Sequence, residues 1–432
     1  MMFINDNATS NLFRLKDISI IMTGNTPSKE KVEYYGGKHN FYKPSDMVGD
    51  VLYSSEDSLT DLGALYGREA PTGSTLVCCI GATLGKAIYL GKTGCFNQQI
   101  NAVIPSNRVN SKYLYFQLIT TRFQDELKSN ASYTTLPIIN ANKFSLLTIY
   151  LPPLEEQRAI AEYLDRETVR IDRIVELLTK QRERYAQLKR SLISEVVTHG
   201  LPHHNYTMKE ANLPWLDTIP EHWEVRRIKD ILSSVFSGDW GDEPIENNSY
   251  VCVRIADFDN RTGKVVFKDT PTYRSYPINS IDSKQIHNGD ILLEKSGGGE
   301  LVPVARVVLW DRAKEYSPCL CANFIQVLRT KRNEVIPMYL MHLLTILHTM
   351  DIVRLHIKQT TGIQNLSLNT YLSQSLPLPP LEEQQEIVAY LDERCKRLDR
   401  LVEAIDRKID LLGSLKKSLI EEVVTGQRRI TN

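Results

Sequence analysis

A stretch of 48 residues that occurs twice limits the fold of this chain more than any other feature. LPPLEEQRAIAEYLDRETVRIDRIVELLTKQRERYAQLKRSLISEVVT runs from Leu151 to Thr198, and LPPLEEQQEIVAYLDERCKRLDRLVEAIDRKIDLLGSLKKSLIEEVVT from Leu378 to Thr425. The copies align without a gap at an offset of 227 and share 25 identities. Chance does not produce that. The register persists upstream, where TTLPIINANKF from Thr134 meets TGIQNLSLNTY from Thr361. Farther back, LFRLKDISIIMTGNTPS and WEVRRIKDILSSVFSGDW share a Lys-Asp-Ile core. The chain is a tandem of two units, each a variable block followed by a helical block, and such repeats set the architecture.

Each helical block opens on Pro-Pro, which suits the first positions of a helix, followed by Glu-Glu where the helix dipole favours negative charge. Apolar residues then recur every seven: Leu164, Ile171, Leu178, Tyr185 and Leu192, and in the second copy Leu391, Leu398, Ile405, Leu412 and Leu419. Companions at Ile174, Val175, Leu188, Val196, Leu401, Val402, Ile409 and Leu415 widen the stripe, and Gly413 is its weak spot. Five heptads without proline predict a coiled-coil helix, and about 44 residues make a rod of roughly 66 Å. One amphipathic helix alone would pack on its own globular neighbour. Two matching helices can bury each other, and the expectation is an antiparallel pair.

The blocks between them read as mixed α/β. Runs such as STLVCCIGA, NAVIP, YVCVRIADF and GDILLEKS are bounded by Gly, Pro and Asn, the mark of short strands and turns. Helices are expected near Ser111–Leu127 and Pro337–His356. The fold class is therefore α+β, two mixed α/β domains separated by two long helices paired as an antiparallel coiled coil, with pseudo-two-fold internal repetition. The expected divisions are a first block at 1–150, a first spacer helix at 151–200, a linker at 201–222, a second block at 223–377, and a second spacer helix with tail at 378–432.

Composition bears on function at three points. Lys+Arg and Asp+Glu are equal at 52 each, which argues against a polybasic binder acting alone. The first block carries a basic excess of three and the second helix an acidic excess of three, a small bias toward an anionic ligand at the blocks. Seven cysteines without a CxxC pair read as reduced thiols of a cytoplasmic protein. No run of about 18 apolar residues occurs, so no membrane span is expected.

Enzyme signatures give only near-misses. GATLGKA at Gly81 is one residue short of a phosphate loop and has Ala87 where a hydroxyl should hold magnesium. In GDILLEK, Asp290, Glu294 and Lys295 lack the alternation that would bring a nuclease's acids and lysine to one face. There is no HExxH and no double proline preceded by Asn or Asp, as an amino-methyltransferase requires. A non-catalytic chain without metal or cofactor is expected.

The tandem of variable block and LPPLEEQ-initiated helix, each ending LKxSLIxEVVT, resembles the DNA-specificity subunit of type I restriction–modification enzymes over residues 12–426. LPWLDTIPEHWEVRRIKDIL is similar to that family's entry into its second target-recognition domain. The resemblance implies that each block is a target-recognition domain reading one half of a split site on double-stranded DNA. It also implies partners: methyltransferase subunits that bind S-adenosylmethionine, and restriction subunits that hydrolyse ATP and cleave. Inverted modules on a rigid spacer would read half-sites about one turn, roughly 34–36 Å, apart. Because the blocks differ, the halves should differ. A coiled-coil scaffold holding two protein-binding modules is the alternative that the same helices allow.

Candidate DNA contacts follow from chemistry rather than from the family, whose recognition domains vary too much to transfer positions. Lys, Ser, Thr and backbone amides hold phosphates, and Arg, Asn and Gln read base edges. In the first block these are Thr26, Ser28, Lys29, Lys31, Lys86, Tyr133, Thr134 and Thr135. In the second they are Trp240, Lys295, Ser296, Lys358, Gln359, Thr360 and Gln364. The polar segments around Thr134 and Thr361 stand out because they recur beside the helix in both copies.

Overall fold

In a computed structural model of the chain, residues 12–133, 135–246, 248–298, 302–312, 314–360 and 363–430 are described. They form two compact units: residues 1–180 with 405–432, and residues 181–404. The first long helix, Leu154–His199, and the second, Leu381–Val424, each divide between the units. Each unit thus holds the opening half of one helix and the closing half of the other, so the halves run antiparallel in chain order.

In the first unit, a five-stranded sheet orders Ser19–Thr23, Ile100–Pro105, Thr75–Cys78, Ala87–Leu90 and Val51–Leu52. A four-stranded sheet of Asp57–Leu59, Tyr35–Tyr42, Gly94–Phe96 and Glu69–Ala70 accompanies it. The segment expected as one helix near Ser111–Leu127 is two, Ser111–Leu118 and Thr121–Asn130, because Thr120 turns the chain and its hydroxyl accepts the Phe123 amide as an N-cap. Likewise Pro337–Thr349 is α-helical, and Ile352–His356 is a separate 3₁₀ turn behind Asp351 in the left-handed region.

The second unit has a six-stranded sheet ordered Leu232–Ser237, Ile325–Thr330, Ile291–Glu294, Val307–Leu309, Lys264–Val265 and Phe258–Asp259. Residues 201–222, read from sequence as a linker, contain a folded hairpin of Met208–Leu213 and Leu216–Pro220. Its Ala211, Leu216 and Ile219 are buried in the core with Val196, Val197 and Leu391.

Both units close in the same way. Leu12–Arg14 pairs antiparallel with Thr148–Tyr150 in the first, and Glu224–Arg227 with Ser375–Leu378 in the second. Arg14 faces Thr148 and Arg227 faces Ser375, and the shared Lys-Asp-Ile core supplies matching ion pairs, Arg14–Asp17 and Arg227–Asp230, both 2.7 Å.

The glutamine of LPPLEEQ anchors each helix. Gln157 accepts the Asn110 amide at 2.8 Å and donates to the carbonyls of Pro152 at 2.8 Å and Arg108 at 3.3 Å. Gln384 accepts the Ile336 amide at 2.8 Å and donates to the carbonyls of Pro379 and Glu334, both 2.9 Å. Both side chains are buried. A buried amide with all its partners is worth far more than the sum of its exposed equivalents, because each backbone group it serves would otherwise be orphaned.

The heptad residues face inward. Leu164, Ile171, Leu391, Ile405 and Leu419 are buried, and Leu178, Tyr185, Leu192, Leu398 and Leu412 half-buried. The stripe is narrower than the sequence suggested: the companions Leu188 (53% exposed), Leu415 (52%) and Leu401 (39%) face solvent. Gly413 does not interrupt its helix. In the first unit Lys416 binds Asp172 at 2.8 Å and Asp50 at 2.6 Å, and in the second Lys189 binds Asp399 at 2.8 Å. Lys189 and Lys416, and likewise Asp172 and Asp399, are repeat equivalents, so each unit carries the other's ion pair.

Candidate nucleic-acid interface

In each unit the loops that carry the candidate residues are joined edge to edge by backbone hydrogen bonds. In the first, the amides of Gly24 and Asn25 donate to the carbonyls of Ile100 and Phe96, both at 3.0 Å. Gly24 is required there, since a Cβ would lie 2.2 Å from the Asn97 carbonyl oxygen. The Cys79 amide donates to Gln99 at 2.7 Å, Ile139 to Cys79 at 3.0 Å, and Gly81 to Pro137 at 2.9 Å. Residues 24–26, 97–99, 79–81 and the hairpin of Ser132–Tyr133 with Pro137–Ile138 form one continuous edge.

The second unit repeats the design. Gly238 donates to Ile325 at 2.9 Å and Asp239 to Cys321 at 2.7 Å, and a Cβ on Gly238 would meet the Ala322 carbonyl oxygen at 2.3 Å. Lys295 donates to Phe324 at 3.0 Å, and Leu366 to Lys295 at 2.8 Å. The hairpin of Ile357–Thr360 with Ile363–Leu366 completes the edge through Ser296 and Gly297, which pair with Asn365 and Gln364. Equivalent backbone bonds put Trp240 where the first unit has Thr26, Lys295 where it has Cys79, and Asn323 where it has Gln98. The scaffold is common and the side chains differ.

In the first unit, Ser28, Lys29 and Lys31 are exposed on the glycine loop, and Thr26 is half-buried and donates to Gln98 Oε1. Lys31 donates to the Tyr34 hydroxyl at 3.0 Å. Lys86 is exposed at the turn after Gly85. Tyr133 and Thr135 are exposed on the hairpin, and Thr134 lies outside the described residues. In the second unit Trp240 carries the Arg274 guanidinium 4.5 Å above its ring, and Arg274 is further held by Glu243 at 2.6 Å. Lys358 and Gln359 are exposed on the hairpin, and Thr360 pairs with Ile363 through its backbone.

Two candidates are turned inward. Ser296 is buried and donates to Asn365 Oδ1, and Gln364 is buried with its Oε1 accepting the Val304 amide at 3.2 Å. They build the edge rather than face outward, since the alternating pleat of Ile363–Leu366 sends Gln364 and Leu366 to the core. Residues that sequence reasoning passed over are exposed beside them: Gln98 in the first unit, Asn323 and Phe324 in the second. Gln98 and Asn323 each stand two residues before an isoleucine, Ile100 and Ile325, an equivalence visible only once both strands are placed.

Lys295 sits at the centre of its edge, donating to the Ser237 hydroxyl at 2.6 Å. Burial, with the Lys284 ammonium adding to it, holds its pKa below the ordinary lysine range. In the first unit the equivalent Cys79 is a buried thiol that burial pushes up to about 12, so it stays neutral. The acids of GDILLEK are structural: Asp290 binds Arg329 at 2.7 Å and Glu294 binds Arg306 at 2.7 and 2.8 Å. Among the described residues, no three His, Cys, Asp or Glu side chains are grouped to hold a metal ion.

The type I restriction modification DNA specificity domain matches this chain twice, over residues 7–183 and 220–410. The chain belongs to that family. Among the specificity subunits it resembles, that of the type I restriction enzyme MjaVIII from Methanocaldococcus jannaschii is 24% identical over 420 residues, 93% of this chain and 92% of that one. The HindI specificity subunit of Haemophilus influenzae is 35% identical over 145 residues, 33% of this chain and 31% of that one. A chain solved in work on complex assembly and conformational transition of the type I R-M system matches with a TM-score of 0.69 at 17% identity, covering 96% of this chain and 97% of that chain. That solved chain therefore shares the fold seen here over nearly its whole length. No helix among the described residues is long and apolar enough to cross a membrane.

Proposed function

We propose that this chain is the DNA-reading subunit of a cytoplasmic type I restriction–modification complex, with each recognition domain reading one half of an asymmetric bipartite site. The observation that carries this reading is one edge built twice. The same backbone bonds hold Thr26, Cys79 and Gln98 in one unit, and Trp240, Lys295 and Asn323 in the other. Equal scaffolds with unequal side chains suit two half-sites of different sequence. Methyl transfer to adenine requires extrusion of the base into a catalytic pocket, which methyltransferase partners would supply, as restriction partners would supply ATP-driven cleavage. The chain itself selects the site.

DNA contacts are proposed at the exposed residues Ser28, Lys29, Lys31, Lys86, Tyr133 and Thr135 with the half-buried Thr26 in one domain, and at the exposed Trp240, Lys358 and Gln359 with the half-buried Lys295 in the other. Lys358, exposed on the hairpin, is assigned to a phosphate. Binding of the methyltransferase complex to target and non-target duplexes across a salt series tests this. Lys358→Ala should weaken both and lower the salt slope by about one. An unchanged slope refutes the contact.

A further inference from the structure

The two hairpins differ in sequence but agree at one unexpected position. Leu136, on the return side of the first, is 58% exposed, and Ile363, on the return strand of the second, is 55% exposed. They are 227 residues apart and thus repeat equivalents. Leu136 directly precedes Pro137, which pairs with Tyr133, and Ile363 pairs with Thr360, so each aliphatic residue stands at the start of its hairpin's return side. An aliphatic side chain stabilises a fold only by leaving water, so a solvent-facing hairpin has no folding use for one. Exposed around them are Tyr133, Thr135 and Ile138 on one hairpin and Lys358 and Gln359 on the other.

We propose that Leu136 and Ile363 are wedges that enter the DNA base stack, each opening a step in its own half-site beside the base that the partner methyltransferase extrudes. This rests on the reading of the hairpins as part of the DNA interface, and duplex DNA is the occupant because each hairpin continues the edge that carries the candidate contacts. Aliphatic wedges of this kind unstack a base step and kink the duplex, and a base leaves a stack more readily from an opened step.

The test uses the assembled specificity–methyltransferase complex and duplexes carrying the mapped target with 2-aminopurine at the methylated position of one half or the other. Wild-type complex should raise the fluorescence in both. Leu136→Ala should reduce the rise about fivefold in the half read by the first domain only, and Ile363→Ala in the other only, with dissociation constants changed less than about threefold. Leu136→Met should restore the signal. A full rise with either alanine variant overturns the wedge while leaving the DNA reading intact, as does a loss of affinity with unchanged fluorescence per bound complex. Failure of wild-type complex to prefer the target duplex overturns the DNA reading itself.

Discussion

Replacing Gln384 by leucine should destabilise the second unit by about 3 kcal/mol, since it orphans the Ile336 amide and the carbonyls of Glu334 and Pro379 in a site from which water is excluded. Gln157→Leu should act alike on the first unit through the Asn110 amide and the Pro152 and Arg108 carbonyls. Leucine nearly conserves volume, so the loss isolates hydrogen bonding from cavity formation. Denaturant midpoints with unchanged slopes report it. A change below about 0.5 kcal/mol, the range of ordinary surface substitutions, would show that the glutamines do not anchor the helices. The functional consequence follows from position: each glutamine ties the first turn of a long helix to its recognition domain, so a loosened tie loosens the placement of the reading edge.

Lys295→Met should act on recognition rather than on stability. Its ammonium is partly withdrawn from water and steadied by Ser237 at the centre of the edge, where a base edge with an acceptor, such as guanine N7 or O6, is its fitting partner. Losing one such contact removes about 1–3 kcal/mol of discrimination at one base pair. Competition binding against targets substituted at each position in turn should show one position relaxed, in the half read by the second domain, while the others keep their preference. Uniform weakening over all targets would instead mark Lys295 as a phosphate contact, which is the behaviour expected of the exposed Lys358. Cys79 cannot take this role in the first domain, being buried and neutral.

The helices and the duplicated plan were legible because they rest on local periodicity, repeated at a fixed offset. Leu164 and Leu391 are buried as the heptads predict, whereas Leu188 and Leu415 satisfy the same spacing and stay exposed. Sequence spacing counts the apolar residues on a helix but not how wide a neighbour covers them. The recurrence around Thr134 and Thr361 pointed to the hairpins because the pattern there is again local. Ser296 and Gln364 are candidate contacts by their chemistry but lie buried; a polar residue in a glycine-bearing loop looks the same whether it serves a ligand or a backbone amide such as that of Val304. The equivalence of Cys79 with Lys295 was out of reach. The blocks have unequal insertions, and only the hydrogen bonds to Gln99 and Phe324 bring those positions into register.

The equal numbers of acidic and basic residues fit the proposed division of labour, in which two limited edges would meet DNA and the long helices would not. The central claim is that those two unlike edges read two unlike half-sites, and methylation mapping addresses it most directly. The chain should be co-expressed with a type I methyltransferase subunit from its own source, and the methylated adenines of the host DNA mapped with and without it. The account predicts one bipartite motif, its halves different and its gap fixed, methylated only when this chain is present. An undivided motif, identical halves, or a map unchanged by the chain's removal would contradict it.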